Sequence, residues 1–187
     1  WSILIMGMRA SIVKLKVLFC ILVVLLSANN LMSKSIYDFQ IKDIDGIEID
    51  LKKFSGSPIL LVNTASRCGF TGQYQNLANL FLEYKDKKLI VIATPSNSFN
   101  QELSDSEKVK EFCLVNYQTK FIITEIVNVK GDNARAIYNW LRDEHRKSPK
   151  WNFYKFLFNK NGEFVESWSS MVKPDNKKIT SLIDELI

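Results

Sequence analysis

The stretch Ile59-Leu60-Leu61-Val62-Asn63-Thr64-Ala65-Ser66-Arg67-Cys68-Gly69-Phe70-Thr71 decides how this chain folds. Its first four residues are an apolar run of strand length. Beyond the cysteine, Leu77, Leu80, Phe81 and Tyr84 recur at helical spacing in a segment that begins near Gln73, and Leu89-Ile90-Val91-Ile92-Ala93 is a second continuous apolar run. Two such runs around an amphipathic helix predict a right-handed βαβ unit with parallel strands. Cys68 then lies past the C-terminal end of the first strand and just before the helix, on the side of the sheet where open α/β folds place their chemistry.

A thiol in that position has its proton loss favoured by the helix N-terminus. A free cysteine with a pKa of ~8.5 is only about 3% thiolate at neutral pH, whereas one at ~6 is mostly nucleophile. That difference is worth about 3.4 kcal/mol, more than a helix terminus supplies alone, so other donors must converge on the sulfur. A lone buried cysteine is otherwise an inert apolar filler.

Working outward, Tyr37, Phe39 and Ile41 alternate with polar residues, Asp45-Gly46 is a turn signal, and Ile47 and Ile49 resume the alternation, which predicts an N-terminal β-hairpin. After the second apolar run comes a turn-rich loop, Thr94 to Gln101, and then Ser104-Asp105-Ser106-Glu107, with the spacing of a capping box. The helix so started presents Val109, Phe112, Cys113 and Asn116. Phe121 to Val129 reads as extended, Gly131-Asp132-Asn133 breaks it, and Ala136, Ile137, Trp140 and Leu141 mark a further helix. Arg142 to Lys150 reads as a charged linker in which His145, the only histidine, is a solvated surface residue. Phe156-Leu157-Phe158 and Phe164-Val165-Glu166 around Asn161-Gly162 predict an antiparallel pair, and 176–187 a closing amphipathic helix. The fold class is α/β, a central mixed sheet flanked by helices with an N-terminal hairpin.

The 187 residues suit one domain, 35–187, after a leader at 1–30. With Met8 as the expected start, Arg9, Lys14 and Lys16 form a basic region, Val17 to Leu26 is uninterrupted apolar sequence, and Ser27-Ala28-Asn29-Asn30 turns small and polar, the pattern of a secretory signal. The expectation is export, periplasmic or extracellular. Translation from Met32 would instead give a cytoplasmic protein. The apolar run has about half of the ~20 residues a membrane span needs, so the membrane is reached only through an uncleaved leader. The net charge of +5 owes much to Arg9, Lys14, Lys16 and Lys34, which precede every acidic residue. The remainder is nearly neutral and gives no electrostatic case for nucleic acid. One histidine cannot build a histidine-rich metal site, and a Cys/His pair of the protease type would depend on His145.

From about Tyr37 to the end, the chain resembles the glutathione peroxidase family in its cysteine-containing form. The residues that carry the resemblance are Asn63 to Thr71, then Pro95, Asn97, Phe99, Gln101 and Glu102, then Gly131-Asp132-Asn133-Ala134, and finally Lys150-Trp151-Asn152-Phe153 with Lys155-Phe156-Leu157. The resemblance implies a thioredoxin-like fold and a catalytic tetrad of Cys68, Gln101, Trp151 and Asn152. The tetrad's chemistry would be thiolate attack on a hydroperoxide, with the amides and the indole N–H as uncharged donors. It implies Cys113, 45 residues on, as a resolving cysteine, because it matches that position in members that use thioredoxin in place of glutathione. A disulfide needs Cα atoms within about 7 Å, so the helix carrying Cys113 would open locally. Three positions depart from the family pattern: Ser96 replaces a further cysteine, the Phe99-Asn100-Gln101 loop is one residue shorter, and Ile122 replaces a proline.

The expected function is therefore a thiol peroxidase that reduces hydrogen peroxide and organic or lipid hydroperoxides. Its electrons would come from a thioredoxin-like protein or glutathione, with no bound cofactor and no metal. The same thiols in another role would make a peroxide sensor or redox relay that passes its oxidation to a partner protein. A thioredoxin-type disulfide reductase is disfavoured, since the residue three after Cys68 is Thr71. The resemblance also bears on assembly: the short connection between Trp140 and Trp151 lacks the long insertion associated with subunit contacts in the family's glutathione-using tetramers, which favours a monomer.

Overall fold

The computed structural model describes residues 34–187; the leader expected at 1–30 and its alternative start at Met32 lie outside them. Strands β1 (Gln40–Lys42) and β2 (Glu48–Asp50) form the expected antiparallel hairpin, with Ile41 opposite Ile49. A second sheet has the order β5-β4-β3-β6-β7, from β3 (Ile59–Thr64), β4 (Ile90–Pro95), β5 (Ile122–Ile123), β6 (Lys155–Phe158) and β7 (Phe164–Trp168). Helices α1 (Gln73–Tyr84), α2 (Ser106–Tyr117), α3 (Ala136–His145) and α4 (Lys177–Leu186) complete the fold. No helix among the described residues is long and apolar enough to cross a membrane.

The apolar run of β3 is buried at every position because the sheet is covered on both faces. Leu60 and Val62 point into a core with Val91, Ala93, Leu157 and residues of α1, α2 and α4. Ile59 and Leu61 point the other way, into a core with Ile92, Phe156, Phe158, α3 and the hairpin. Strand β3 is parallel to β4 across α1 and antiparallel to β6, so the predicted βαβ unit and the terminal antiparallel pair share one mixed sheet.

Three local expectations change. Phe121–Val129 contributes only two strand residues, because beyond Ile123 the backbone turns to other partners: Glu125 N–H donates to Lys42 O at 3.1 Å and Val127 N–H to Pro95 O at 3.0 Å. Helix α2 is capped by Asp105, whose carboxylate accepts the Lys108 N–H at 2.9 Å. An anionic acceptor at the positive helix end is preferred there to the Ser104 hydroxyl. His145 is the last residue of α3, and Asp143, Glu144, Arg146 and Lys147 around it are exposed. The imidazole lies against the rings of Trp140 and Phe164, at 4.9 and 4.7 Å between centroids, and its Nε2 is buried without a partner. It is a packing residue rather than a solvated one.

Candidate active site

Cys68 leaves the end of β3 on a tight turn. Its N–H donates to Thr71 Oγ1 at 2.9 Å, and that hydroxyl is also bonded to the carbonyls of Cys68 and Ala65, at 2.7 and 2.9 Å. The turn aims the Phe70 N–H at Cys68 Sγ, 3.4 Å away. The helix behind it contributes less directly than its position suggests. The first N–H groups of α1, from Gln73 and Tyr74, are occupied by the carbonyls of Phe70 and Thr71 at 2.8 and 3.0 Å. The sulfur is therefore served by the turn that starts the helix. Cys68 is 8% exposed and its thiol is free.

Two further loops meet this turn. The loop after β4 joins it where Arg67 N–H donates to Gln101 O at 2.9 Å, and Glu102 Oε1 accepts both Ser66 N–H at 3.0 Å and Leu103 N–H at 2.8 Å. Burial pushes the Glu102 carboxyl above its ordinary range, while the Ser66 and Leu103 donors and the Arg67 charge oppose the shift. The loop before β6 is held by Asn63, fully buried at the end of β3. Its amide donates to Trp151 O at 3.0 Å, its side-chain oxygen accepts Tyr154 N–H at 3.0 Å, and its main-chain oxygen accepts Phe153 N–H at 2.6 Å. These contacts hold Phe153 in the left-handed region, φ 63°, with its ring 5.4 Å from that of Tyr74.

The two loops present the residues singled out from sequence. Asn152 is fully buried and donates through Nδ2 to Gln101 Oε1 at 2.9 Å. Trp151, 40% exposed, packs on Phe99 with ring centroids 5.3 Å apart. None of Gln101, Trp151 and Asn152 donates a hydrogen bond to Cys68 Sγ in this reduced state, and the Asn152 donor is directed at Gln101. Cys113 stands apart from the turn. It is fully buried in α2, and desolvation pushes its thiol up to about 12. No cluster of side chains suited to a metal occurs among the described residues.

A model of the family "Glutathione peroxidase" matches residues 36–142. The glutathione peroxidase-like peroxiredoxin 2 of Saccharomyces cerevisiae is 38% identical over 162 residues, 82% of this chain and 100% of that protein. The chain belongs to the glutathione peroxidase family. A probable phospholipid hydroperoxide glutathione peroxidase of Mesembryanthemum crystallinum is 39% identical over 80% of this chain and 93% of its own length. The crystal structure of Trgpx in apo form superposes with a TM-score of 0.66 at 32% identity, covering 82% of this chain and 96% of that one. The thioredoxin-like architecture expected from sequence is the one observed. With cysteine at the turn, this glutathione peroxidase is a thiol peroxidase.

Sequence reasoning missed the residues beneath the site. Gln73 and Lys155 are buried and bonded to each other, Lys155 Nζ donating to Gln73 Oε1 at 2.5 Å. Gln73 opens an otherwise apolar helix face, and Lys155 stands in an apolar strand. A polar residue on the inward face of each element was the available signal.

Proposed function

We propose that Cys68 is the peroxidatic thiol and Cys113 the resolving one. In the first step the Cys68 thiolate attacks the terminal oxygen of a hydroperoxide, the S–O bond forms as the O–O bond breaks, and the departing oxygen leaves as water or alcohol after taking a proton. Gln101, Asn152 and the Trp151 indole are uncharged donors suited to the developing negative oxygen, and their nearness to the turn supports that role. In the second step the Cys113 thiolate attacks the sulfenic sulfur, the disulfide forms, and hydroxide leaves as water with the proton that Cys113 gave up. A dithiol protein of thioredoxin type then reduces the disulfide by exchange.

The observation that carries this reading is the Cys68 turn itself, a thiol facing the Phe70 N–H, with the Gln101 loop tied to it at Ser66 and Arg67 and the Trp151–Asn152 loop tied to the end of β3 at Asn63. The separation of the two thiols in reactivity fits the order of the steps. Cys113 is desolvated and unreactive while α2 is docked, so it becomes a nucleophile only when the helix opens. Both hydrogen peroxide and larger organic hydroperoxides are candidate substrates, the second because Trp151 leaves an exposed apolar edge beside the turn. A monomer acting outside the cytosol completes the proposal, with a reductant supplied in that compartment. Steady-state consumption of hydrogen peroxide and cumene hydroperoxide, with thioredoxin or glutathione as donor, tests it. Thioredoxin should sustain faster turnover, and faster turnover with glutathione would refute the two-thiol reading.

A further inference from the structure

Lys155 has no exposed surface and no anionic partner. On β6 it pairs with Val62 of β3 and with Trp168 of β7, and its Nζ donates to Gln73 Oε1 at 2.5 Å. A continuous path runs on from there. Gln73 Nε2 donates to Ser170 O at 2.6 Å, the Ser170 hydroxyl donates to Asn152 O at 2.5 Å, and Asn152 Nδ2 donates to Gln101 Oε1 at 2.9 Å. Burying an ammonium is costly, and an apolar side chain of the same length would fill this place in the fold at least as well.

We propose that Lys155 is a positioning residue for the peroxidase reaction, one that sets the orientation of Gln73 and, through Ser170, holds the Asn152–Gln101 pair in place. An ammonium is a donor only. It compels the Gln73 amide to turn its oxygen inward, which leaves Nε2 to face Ser170 O. A neutral amine has a lone pair and tolerates the flipped amide, which would face Ser170 O with an oxygen and release it. Lys155 touches neither the sulfur nor a substrate. The inference rests on the reading of Gln101 and Asn152 as donors in the reaction.

The arrangement has a pH signature. Desolvation brings Lys155 down to about 7. The groups facing it, Val62 from β3, Trp168 from β7, Gln73 from α1 and Ser170 from the following loop, are uncharged, and the neighbouring Tyr74 is directed at Phe112, Tyr117 and Phe153. Oxidation of Cys68 should therefore lose rate as Lys155 is deprotonated above about 7, which gives a falling alkaline limb.

The test is the single-turnover rate of Cys68 oxidation by hydrogen peroxide between pH ~6 and ~9, in wild type, Lys155→Met, Gln73→Glu and Asn152→Ala. Lys155→Met should be about tenfold slower below neutrality and should lack the falling alkaline limb, with an unchanged or higher melting temperature. Gln73→Glu keeps a partner for the ammonium but sets an oxygen opposite Ser170 O at every pH, so it should be slowed like Lys155→Met and lack that limb. If Lys155→Met does not fold, Gln73→Glu decides, and a wild-type rate with the falling limb retained overturns the proposal. Wild-type rate and profile in Lys155→Met, with Asn152→Ala slowed, overturn this inference alone. An unaffected Asn152→Ala overturns the site reading and this inference with it.

Discussion

Replacing Val109 by alanine should speed formation of the Cys68–Cys113 disulfide while weakening the fold. Helix α2 fully buries only Val109 and Cys113, one turn apart, whereas α1 buries Gln73, Tyr74, Leu77, Ala78, Leu80 and Tyr84. Val109 is thus the main apolar anchor that must leave its site before Cys113 can approach Cys68. Truncation to alanine removes two buried carbons, about 1.6 kcal/mol by transfer, and a residual cavity brings the cost to about 2 kcal/mol. If the open helix no longer makes that contact, the opening equilibrium rises about 30-fold, and the rate of resolution rises with it when opening is limiting. The assay adds one equivalent of hydroperoxide, quenches with an alkylating reagent over time, and counts disulfide-linked peptides by mass spectrometry. Amide exchange of the unoxidised protein reports the opening independently. Faster exchange across α2 without faster disulfide formation would refute the argument that opening of this helix gates Cys113.

Three other perturbations have definite outcomes. Asn63→Ala removes the side-chain bonds to Trp151 and Tyr154 and should cost about 2 to 4 kcal/mol in urea unfolding while slowing Cys68 oxidation, since the loop that carries Trp151 and Asn152 loses its side-chain anchor. Gly162→Ala should cost about 2 kcal/mol or more, because Gly162 has φ 79° and an added Cβ would lie 2.7 Å from the Tyr37 ring; the same urea experiment reads it. Lys155, at about 7 folded against 10.5 when exposed, binds fewer protons in the native state across that window, so stability should rise by about 2 kcal/mol from pH ~7 to ~9. Above pH ~9 Cys113, raised to about 12 from 9.0, acts in the opposite sense, and Lys155→Met should abolish only the rising part.

The βαβ unit, the hairpin and the antiparallel pair were legible because each depends on local period and turn chemistry, as at Ile59–Val62, Asp45-Gly46 and Asn161-Gly162. Cys68 was legible for the same reason, from its place between a buried run and a helix. What lay beyond sequence was decided by contacts distant along the chain. The expected strand after Phe121 ends at Ile123 because the N-terminal hairpin supplies a competing partner. His145, surrounded by charges in sequence, faces Trp140 and Phe164 through the register of α3. The donors at the sulfur were expected from the first turn of α1, but the loop carbonyls of Phe70 and Thr71 claim those N–H groups. The path from Lys155 to Gln101 links residues as far apart as 97 positions, Gln73 and Ser170, and no local pattern encodes such a pairing.

The central claim is that Cys68 Sγ is the atom that breaks the O–O bond, and it is tested most directly by adding one equivalent of hydrogen peroxide to the reduced protein and to its Cys68→Ser and Cys113→Ser variants, then measuring the masses of the products. Wild type should yield the Cys68–Cys113 disulfide, and Cys113→Ser should consume peroxide rapidly and carry one added oxygen on Cys68. Cys68→Ser should be inert on that timescale; rapid peroxide consumption by this variant would contradict the account.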